Sequence, residues 1–229
     1  MQSYHIPIIA IDGPAGAGKS ALAKALAKSY GWSHINTGLL YRAIGFLLED
    51  HELESIGEQR AESINCANHL KSLSYDLKSG KIFFKSQDIS KEILTQNSGW
   101  RASVIAKSEP IRKLLLPVQR RWALQAEKGC VVEGRDIGTV VFPDALLKIY
   151  ITASIECRAK RRKQQIDGKS KESLEEIIQQ ITTRDQQDME RGAAPLTEAK
   201  DALTIDTTNL SLERVLEQVQ NSLKEKLQA

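Results

Sequence analysis

Cysteine is scarce in this 229-residue chain: Cys66, Cys130 and Cys157 are odd in number, far apart and free of any C-x-x-C pair. That spacing argues against a disulfide framework and a zinc site, and it fits a reducing cytoplasm. Long apolar runs are missing too. The N-terminal run in MQSYHIPIIAIDG stops at Asp12 without a basic flank, so neither a signal peptide nor a membrane span is expected. Charge of one sign is also in short supply, since 32 Lys+Arg against 29 Asp+Glu leave a formal +3. So small an excess gives no continuous face toward DNA or an anionic membrane, and the expectation is a monomer without nucleic-acid or membrane partners. What is present, 41% hydrophobic and 27% charged residues, is the composition of a globular chain and excludes disorder for most of it.

The apolar pattern alternates between short runs and long helical stretches. His5 to Asp12 reads as a strand ending at a glycine-rich turn, and Ser20 to Tyr30 continues with helical spacing. Cys130 to Glu133, Leu147 to Thr152 and Ala202 to Asp206 read as further strands covered on both faces. Such alternation predicts an α/β chain with a central parallel sheet flanked by helices. Leu73 to Ile89 interrupts it as an antiparallel β-hairpin around Lys78-Ser79-Gly80-Lys81, an insertion in the core. Glu156 to Arg191 is charged and helical, with Asp167-Gly168 as the turn between two helices. In the last segment Leu212, Val215, Leu216, Val219 and Leu223 mark one buried helix face. Trp32, Trp100 and Trp122 are expected in the core, and His5, His34, His51 and His69 lack metal-ligand spacing and read as surface or packing residues.

Gly13-Pro14-Ala15-Gly16-Ala17-Gly18-Lys19-Ser20 matches G-x-x-x-x-G-K-[ST] at every fixed position, after a strand and before a helix. Its glycines let the backbone wrap a phosphate with N–H groups inward. Lys19 adds a point charge near the β- and γ-phosphates, and Ser20 opens a helix where its hydroxyl suits Mg²⁺. Such a P-loop predicts a nucleoside-triphosphate site but does not name the acceptor.

Further motifs do. Asn36-Thr37-Gly38-Leu39-Leu40-Tyr41-Arg42, Ser103-Val104-Ile105-Ala106 with Ile111-Arg112, and Gly134-Arg135-Asp136-Ile137-Gly138-Thr139-Val140-Val141-Phe142-Pro143-Asp144-Ala145 follow in order. Arg184-Asp185, Asp188, Arg191, Ala194-Pro195-Leu196 and Asp206-Thr207-Thr208 come after them. Over nearly its whole length the chain thus resembles the bacterial cytidylate kinases. The resemblance implies a P-loop NTPase fold in one domain, with an acceptor-binding insertion over about residues 38–112 and a helical lid over about 156–192. It implies ATP contacts from residues 13–21 (Ala21 included), Arg158 and Arg162. It places Thr37, Tyr41, Arg42, Ser103, Arg112, Arg135, Asp136, Arg184, Asp188 and Arg191 around CMP, with Lys19, Arg135 and Arg191 catalytic. Departures from the family pattern are Glu133 and Asn36 where Asp is usual, Leu94 where Arg is common, and Ala21 where Thr is common.

The residue chemistry agrees with these roles. Guanidinium forks suit phosphate oxygens, while Asp136 can accept from cytosine's exocyclic amine and Arg112 and Ser103 can donate to its O2 and N3. The reaction implied is transfer of the γ-phosphoryl group of Mg-ATP to CMP or dCMP, in pyrimidine nucleotide metabolism. Rivals are a P-loop kinase for UMP, GMP, dTMP or shikimate, and an RNA-binding ATPase using Arg158-Ala159-Lys160-Arg161-Arg162-Lys163, a run without interleaved aromatics. A guanine-nucleotide switch would need an Asn-Lys-x-Asp motif, which the sequence does not contain.

Overall fold

The computed structural model describes residues 4–57, 65–166 and 172–228. The Asp167-Gly168 turn lies outside the described residues. β1 (Ile8–Asp12), an isoleucine-rich run, is buried at all five positions. It feeds the glycine loop and then α1 (Lys19–Tyr30), which ends where Gly31 takes a left-handed conformation and donates to Ala27 and Lys28 carbonyls. β2 (Ser33–Asn36) follows, then α2 (Gly38–Leu47), α3 (Asp50–Gly57) and α4 (Cys66–Lys71). β3 (Leu73–Asp76), β4 (Lys81–Phe84) and β5 (Gln87–Asp88) form a separate antiparallel sheet, so the expected hairpin carries a third, two-residue strand. A 3₁₀ turn at Glu92–Leu94 leads to α5 (Gln96–Ile105) and α6 (Glu109–Leu124).

The chain then returns to the core through β6 (Cys130–Glu133), a π-helical turn (Ile137–Val141) and β7 (Leu147–Thr152). α7 (Ile155–Ile166) and α8 (Leu174–Glu190) pair through Ala159, Ile177 and Ile181, and α8 starts with a capping box between Ser173 and Glu176. β8 (Leu203–Asp206) and α9 (Leu212–Gln228) close the fold.

The core sheet has the order β2-β6-β1-β7-β8 with every pair parallel. Side-chain alternation splits its contacts between two layers. Ile9, Ile11, Val131, Ile149 and Ile151 pack against α1 and α9, through Leu22, Leu26, Val215, Val219 and Leu223. Ile8, Ala10, Ile35 and Val132 meet the other layer, which includes Leu40 and Ile44 of α2 and Leu115 of α6. β1 connects onward to β2, whereas its neighbour β6 connects onward to β7 on the opposite side. A crevice therefore opens at their carboxyl ends, the usual ligand position in such sheets.

Three expectations are corrected. β7 buries only Leu147, Ile149 and Ile151, and β8 is an edge strand buried only at Ile205, so neither is covered on both faces. Leu212 is exposed, and the buried stripe of α9 narrows to Val215, Val219 and Leu223. Trp122 is buried and stacks on Tyr75, and Trp32 is half-buried, but Trp100 is 61% exposed on α5. Among the described residues no helix is long and apolar enough to cross a membrane.

Leu22 ties the helix behind the glycine loop to the sheet and is fully buried. Leu22→Ala is expected to lower unfolding free energy by about 2–5 kcal/mol, read as a lower urea midpoint at an unchanged m-value.

Candidate active site

The glycine loop lies against β7. Gly13 has φ 145°, and a β-carbon there would come within 2.0 Å of the Ile151 carbonyl oxygen, so only glycine fits this approach. Lys19 Nζ donates to the Gly13 and Pro14 carbonyls at 2.7 Å each, which folds its ammonium back across the loop. Burial first, and then the Arg135 guanidinium, pull Lys19 well below its ordinary value.

The basic run on α7 divides its work. Arg158 is buried, pairs with Asp185 and donates to the Ala15 carbonyl at 3.1 Å and the Ala153 carbonyl at 2.9 Å. Arg161 donates to Thr207 at 2.9 Å and 2.7 Å, and the Thr207 hydroxyl bonds the Ala17 carbonyl at 3.0 Å. These two arginines brace the outside of the loop. Arg162 stands exposed.

At the crevice floor, Ser20 donates its hydroxyl to Glu133 Oε2 at 2.7 Å, while Glu133 Oε1 lies 2.9 Å from His34 Nε2. The expectation that His34 is a surface or packing residue is thereby corrected. Thr37 donates its hydroxyl to the Glu133 carbonyl at 2.8 Å, which seats the start of α2 on the end of β6. Asp12 accepts from the Ile137 and Gly138 amides at 2.8 Å and 2.7 Å and so caps the π turn. Burial nevertheless raises its carboxyl from 3.8 to about 6.

A cavity of about 360 Å³ opens beside this floor, lined among others by Tyr41, Arg112, Leu116, Gln119, Asp136 and Val140. Arg112 pairs with Asp136, and its guanidinium lies 5.6 Å from the centre of the Tyr41 ring, a cation–π contact. Arg191 spans Asp136 and Asp188 at 3.8 Å each and donates to the Ala194 carbonyl at 2.7 Å. Arg135 donates to Asp188 at 2.8 Å. Burial alone would raise Asp188, but Arg135, Arg184 and Arg191 bring it below its ordinary value. Arg42 donates to the Ile93 and Thr95 carbonyls at 3.1 Å and 2.9 Å. A β-carbon on Gly99 would sit 2.9 Å from Arg42 Nη2, so a glycine on α5 makes room for that guanidinium.

The structure therefore brings Lys19, Ser20, Tyr41, Arg42, Arg112, Arg135, Asp136, Arg184, Asp188 and Arg191 to one end of the sheet. Ser103 does not line the cavity, and its hydroxyl donates back to the Gly99 carbonyl at 3.2 Å. Residues not singled out for a role from sequence are Asp12, Gln119, Asp185 and Thr207, together with the His34–Glu133 contact. Asp12 and Thr207 end or follow strands, a positional signal for a site in an α/β sheet. Gln119 carried none, yet it is 2% exposed, lines the cavity, and its Nε2 has no hydrogen-bond partner among the described residues.

Asp12 generates a pH prediction. Its proton is held more tightly folded than unfolded, so the stability it contributes is full below about pH 4 and is lost as pH rises through about 6. Asp12→Asn has no such titration. The variant's unfolding free energy relative to the parent is expected to rise by up to about 3 kcal/mol between pH 4 and 7; a flat difference in urea titrations would count against the shift.

Comparison with known proteins adds an independent line. The family model described as Cytidylate kinase matches residues 9–225. A cytidylate kinase of Thermosipho melanesiensis is 45% identical over 219 residues, covering 95% of this chain and 97% of that protein. One of Thermotoga maritima is 40% identical over 221 residues, covering 96% and 97%. A crystal structure of an uncharacterized protein from Eubacterium ventriosum shares the fold, with a TM-score of 0.53 at 12% identity over 95% of this chain and 98% of that one. With its glycine loop, its paired Arg112 and Asp136 and a match along nearly its entire length, the chain belongs to the cytidylate kinase family.

Proposed function

We propose that this chain transfers the γ-phosphoryl group of ATP to CMP or dCMP, giving ADP and CDP or dCDP. The observation that carries the reading is a mutual repulsion of cations at the crevice. Burial and then Arg135 lower Arg184 to about 10, while burial followed by Arg162 and Arg135 lowers Arg42. Lys19 is pressed down by burial and then by Arg135 and Arg184, and Arg184 Nε has no hydrogen-bond partner among the described residues. Such a cluster is relieved by polyanions, and two phosphate-bearing nucleotides supply them.

The acceptor phosphate is mostly dianionic at neutral pH, since a phosphate monoester loses its second proton near pH 6. No general base is needed, and catalysis becomes alignment with charge neutralisation. Lys19 and the backbone of residues 13–21, whose N–H groups other than at Pro14 can donate, hold the triphosphate, with Arg158 fixing the loop and Arg162 reaching the nucleotide from α7. Arg42, Arg135 and Arg191 hold the acceptor phosphate, and Thr37, Arg184 and Asp188 contact its sugar and phosphate side. Asp136, kept in place by Arg112, accepts from the exocyclic amine of cytosine, where uracil would present a carbonyl. Tyr41 completes the base site, and the Ser103 hydroxyl would have to leave the Gly99 carbonyl to reach the base. Misplacing a buried acceptor in this way discriminates by up to about 10⁴-fold.

The donor set also fits magnesium. Ser20 offers a hydroxyl ligand beside the phosphate loop, its proton taken by Glu133, and among the described residues no cluster of three His, Cys, Asp or Glu encloses a metal. This suits an ion that keeps waters and takes phosphate oxygens, and that neutralises phosphate charge when bound. Residues 38–112 form the acceptor insertion and 156–192 the lid, in one domain of a cytoplasmic monomer.

A coupled ADP-release assay with ATP, magnesium and a panel of nucleoside monophosphates is expected to show CMP and dCMP preferred; preference for UMP, GMP or AMP over both overturns the assignment. Asp136→Ala is expected to lower the CMP-over-UMP ratio, and an unchanged ratio removes Asp136 from base reading. Lys19→Ala is expected to lose about 100-fold or more in kcat at saturating CMP.

A further inference from the structure

Glu133 ends β6 and is only 2% exposed. Its length is the departure noted in the sequence, and the structure shows what that length does. The parallel register pairs His34 with Val131 and Asn36 with Glu133, so His34 and Glu133 occupy positions of the same parity in neighbouring strands. Val131 belongs to the layer that contains α1, and α1 begins with Lys19 and Ser20. Three side chains therefore line up on that face: His34 Nε2 lies 2.9 Å from Glu133 Oε1, and Glu133 Oε2 accepts from the Ser20 hydroxyl at 2.7 Å. The Glu133 carbonyl is held separately by the Thr37 amide at 3.1 Å and hydroxyl at 2.8 Å. The backbone is thus fixed, and what remains free is the rotation of a three-torsion side chain.

We infer that His34 is a positioning residue for the phosphate-transfer site: its Nε2–H holds the Glu133 carboxylate in the one orientation that accepts the Ser20 proton. A carboxylate oxygen is an acceptor only, so the hydrogen between His34 and Glu133 sits on the imidazole. With its proton committed to Glu133, the Ser20 hydroxyl keeps its lone pairs for the cation beside the loop. An aspartate at position 133 would be one methylene shorter and would draw the carboxylate back toward its own strand. The Tyr75 hydroxyl donates to the His34 carbonyl at 3.2 Å, which ties the small antiparallel sheet to the same strand. The inference rests on the assignment of Ser20 as a magnesium ligand.

The test uses a non-hydrolysable ATP analogue and calorimetry without acceptor, so that binding is read without turnover. Groups that orient metal ligands change metal affinity by about 10–100-fold when removed. His34→Leu is expected to weaken the magnesium complex of the analogue by at least about tenfold, while the metal-free analogue binds within about twofold of the parent, a tolerance set by the ordinary scatter of surface effects. His34→Gln restores a donor and is expected to recover most of the loss. In a Ser20→Ala background, His34→Leu is expected to have no further effect on the magnesium dependence. Equal weakening of both forms, no weakening, or an undiminished effect in the Ser20→Ala background would each overturn the role given to His34. A wild-type chain whose analogue binding ignores magnesium would overturn the Ser20 assignment and this inference with it, whereas wild-type magnesium dependence with an unaffected His34→Leu removes His34 alone. Should His34→Leu fail to fold, comparison of His34→Gln with His34→Asn, whose shorter amide cannot span the same gap, gives the same readout: loss in Asn but not Gln supports the role, and equal behaviour overturns it.

Discussion

Cations crowded together and partly withdrawn from water at one end of the sheet are the constraint on which the crevice depends. Lys19, Arg42 and Arg184 are each lowered first by burial and then by the charge of a neighbouring arginine, Arg135 among them. Nothing apolar can hold such a group together. Asp188 on α8 pairs with Arg135, while Lys19 and Arg42 donate to main-chain carbonyls; around them Asp136 after β6 pairs with Arg112, Asp185 one turn earlier on α8 pairs with Arg158, and Glu133 at the strand end accepts from Ser20. Each carboxylate is buried and each meets an arginine, a serine or a histidine, so the cost of desolvating it is offset locally.

The carboxylates also explain why helices far apart in sequence converge. Asp188 accepts from Arg135, so α8 is tied to the loop after β6; Asp185 accepts from Arg158 and from the Ala15 amide at 3.3 Å, so the same helix is tied to the glycine loop. One face of α8 thereby touches both halves of the crevice. A helix bound through ion pairs rather than a large apolar contact can change its partners when phosphate arrives, because a phosphate oxygen competes with a carboxylate for the same guanidinium.

Much of this was legible in the sequence, and the reasons differ by element. The glycine loop was legible because its geometry demands particular residues: at Gly13 a backbone oxygen 2.0 Å from the would-be β-carbon leaves no alternative. The parallel sheet was legible because β1 and β6 are buried on both faces and therefore apolar up to their final carboxylates, Asp12 and Glu133. β7 and β8 were misread as equally covered, since Leu147–Thr152 contains a lysine and a tyrosine whose stems and rings hide their half-exposed positions in a hydrophobic count. Trp100 was misread for a related reason, as residue type gives average burial and not the side of α5 on which position 100 falls. The Arg112–Asp136 pair came from motif order, because no local pattern links residues on a helix and a loop. His34 and Gln119 left no sequence signal at all: a histidine without ligand spacing and a glutamine within an amphipathic helix acquire meaning only when β2 meets β6 and α6 meets the cavity.

The register of β2 against β6 carries a consequence for how the chain assembles. Ser33 pairs with Cys130, and the whole run of α2 through α6 with its small sheet lies between them. Closing a loop of this length costs little more in free energy than closing one half as long, about 0.6 kcal/mol per doubling. The burden falls on rate, because the β2–β6 contact is non-local and such contacts slow folding. The crevice floor, with Glu133 on one of these strands and His34 on the other, therefore needs both ends of this long segment, and a nascent chain that has made its glycine loop but not yet residue 133 lacks that floor.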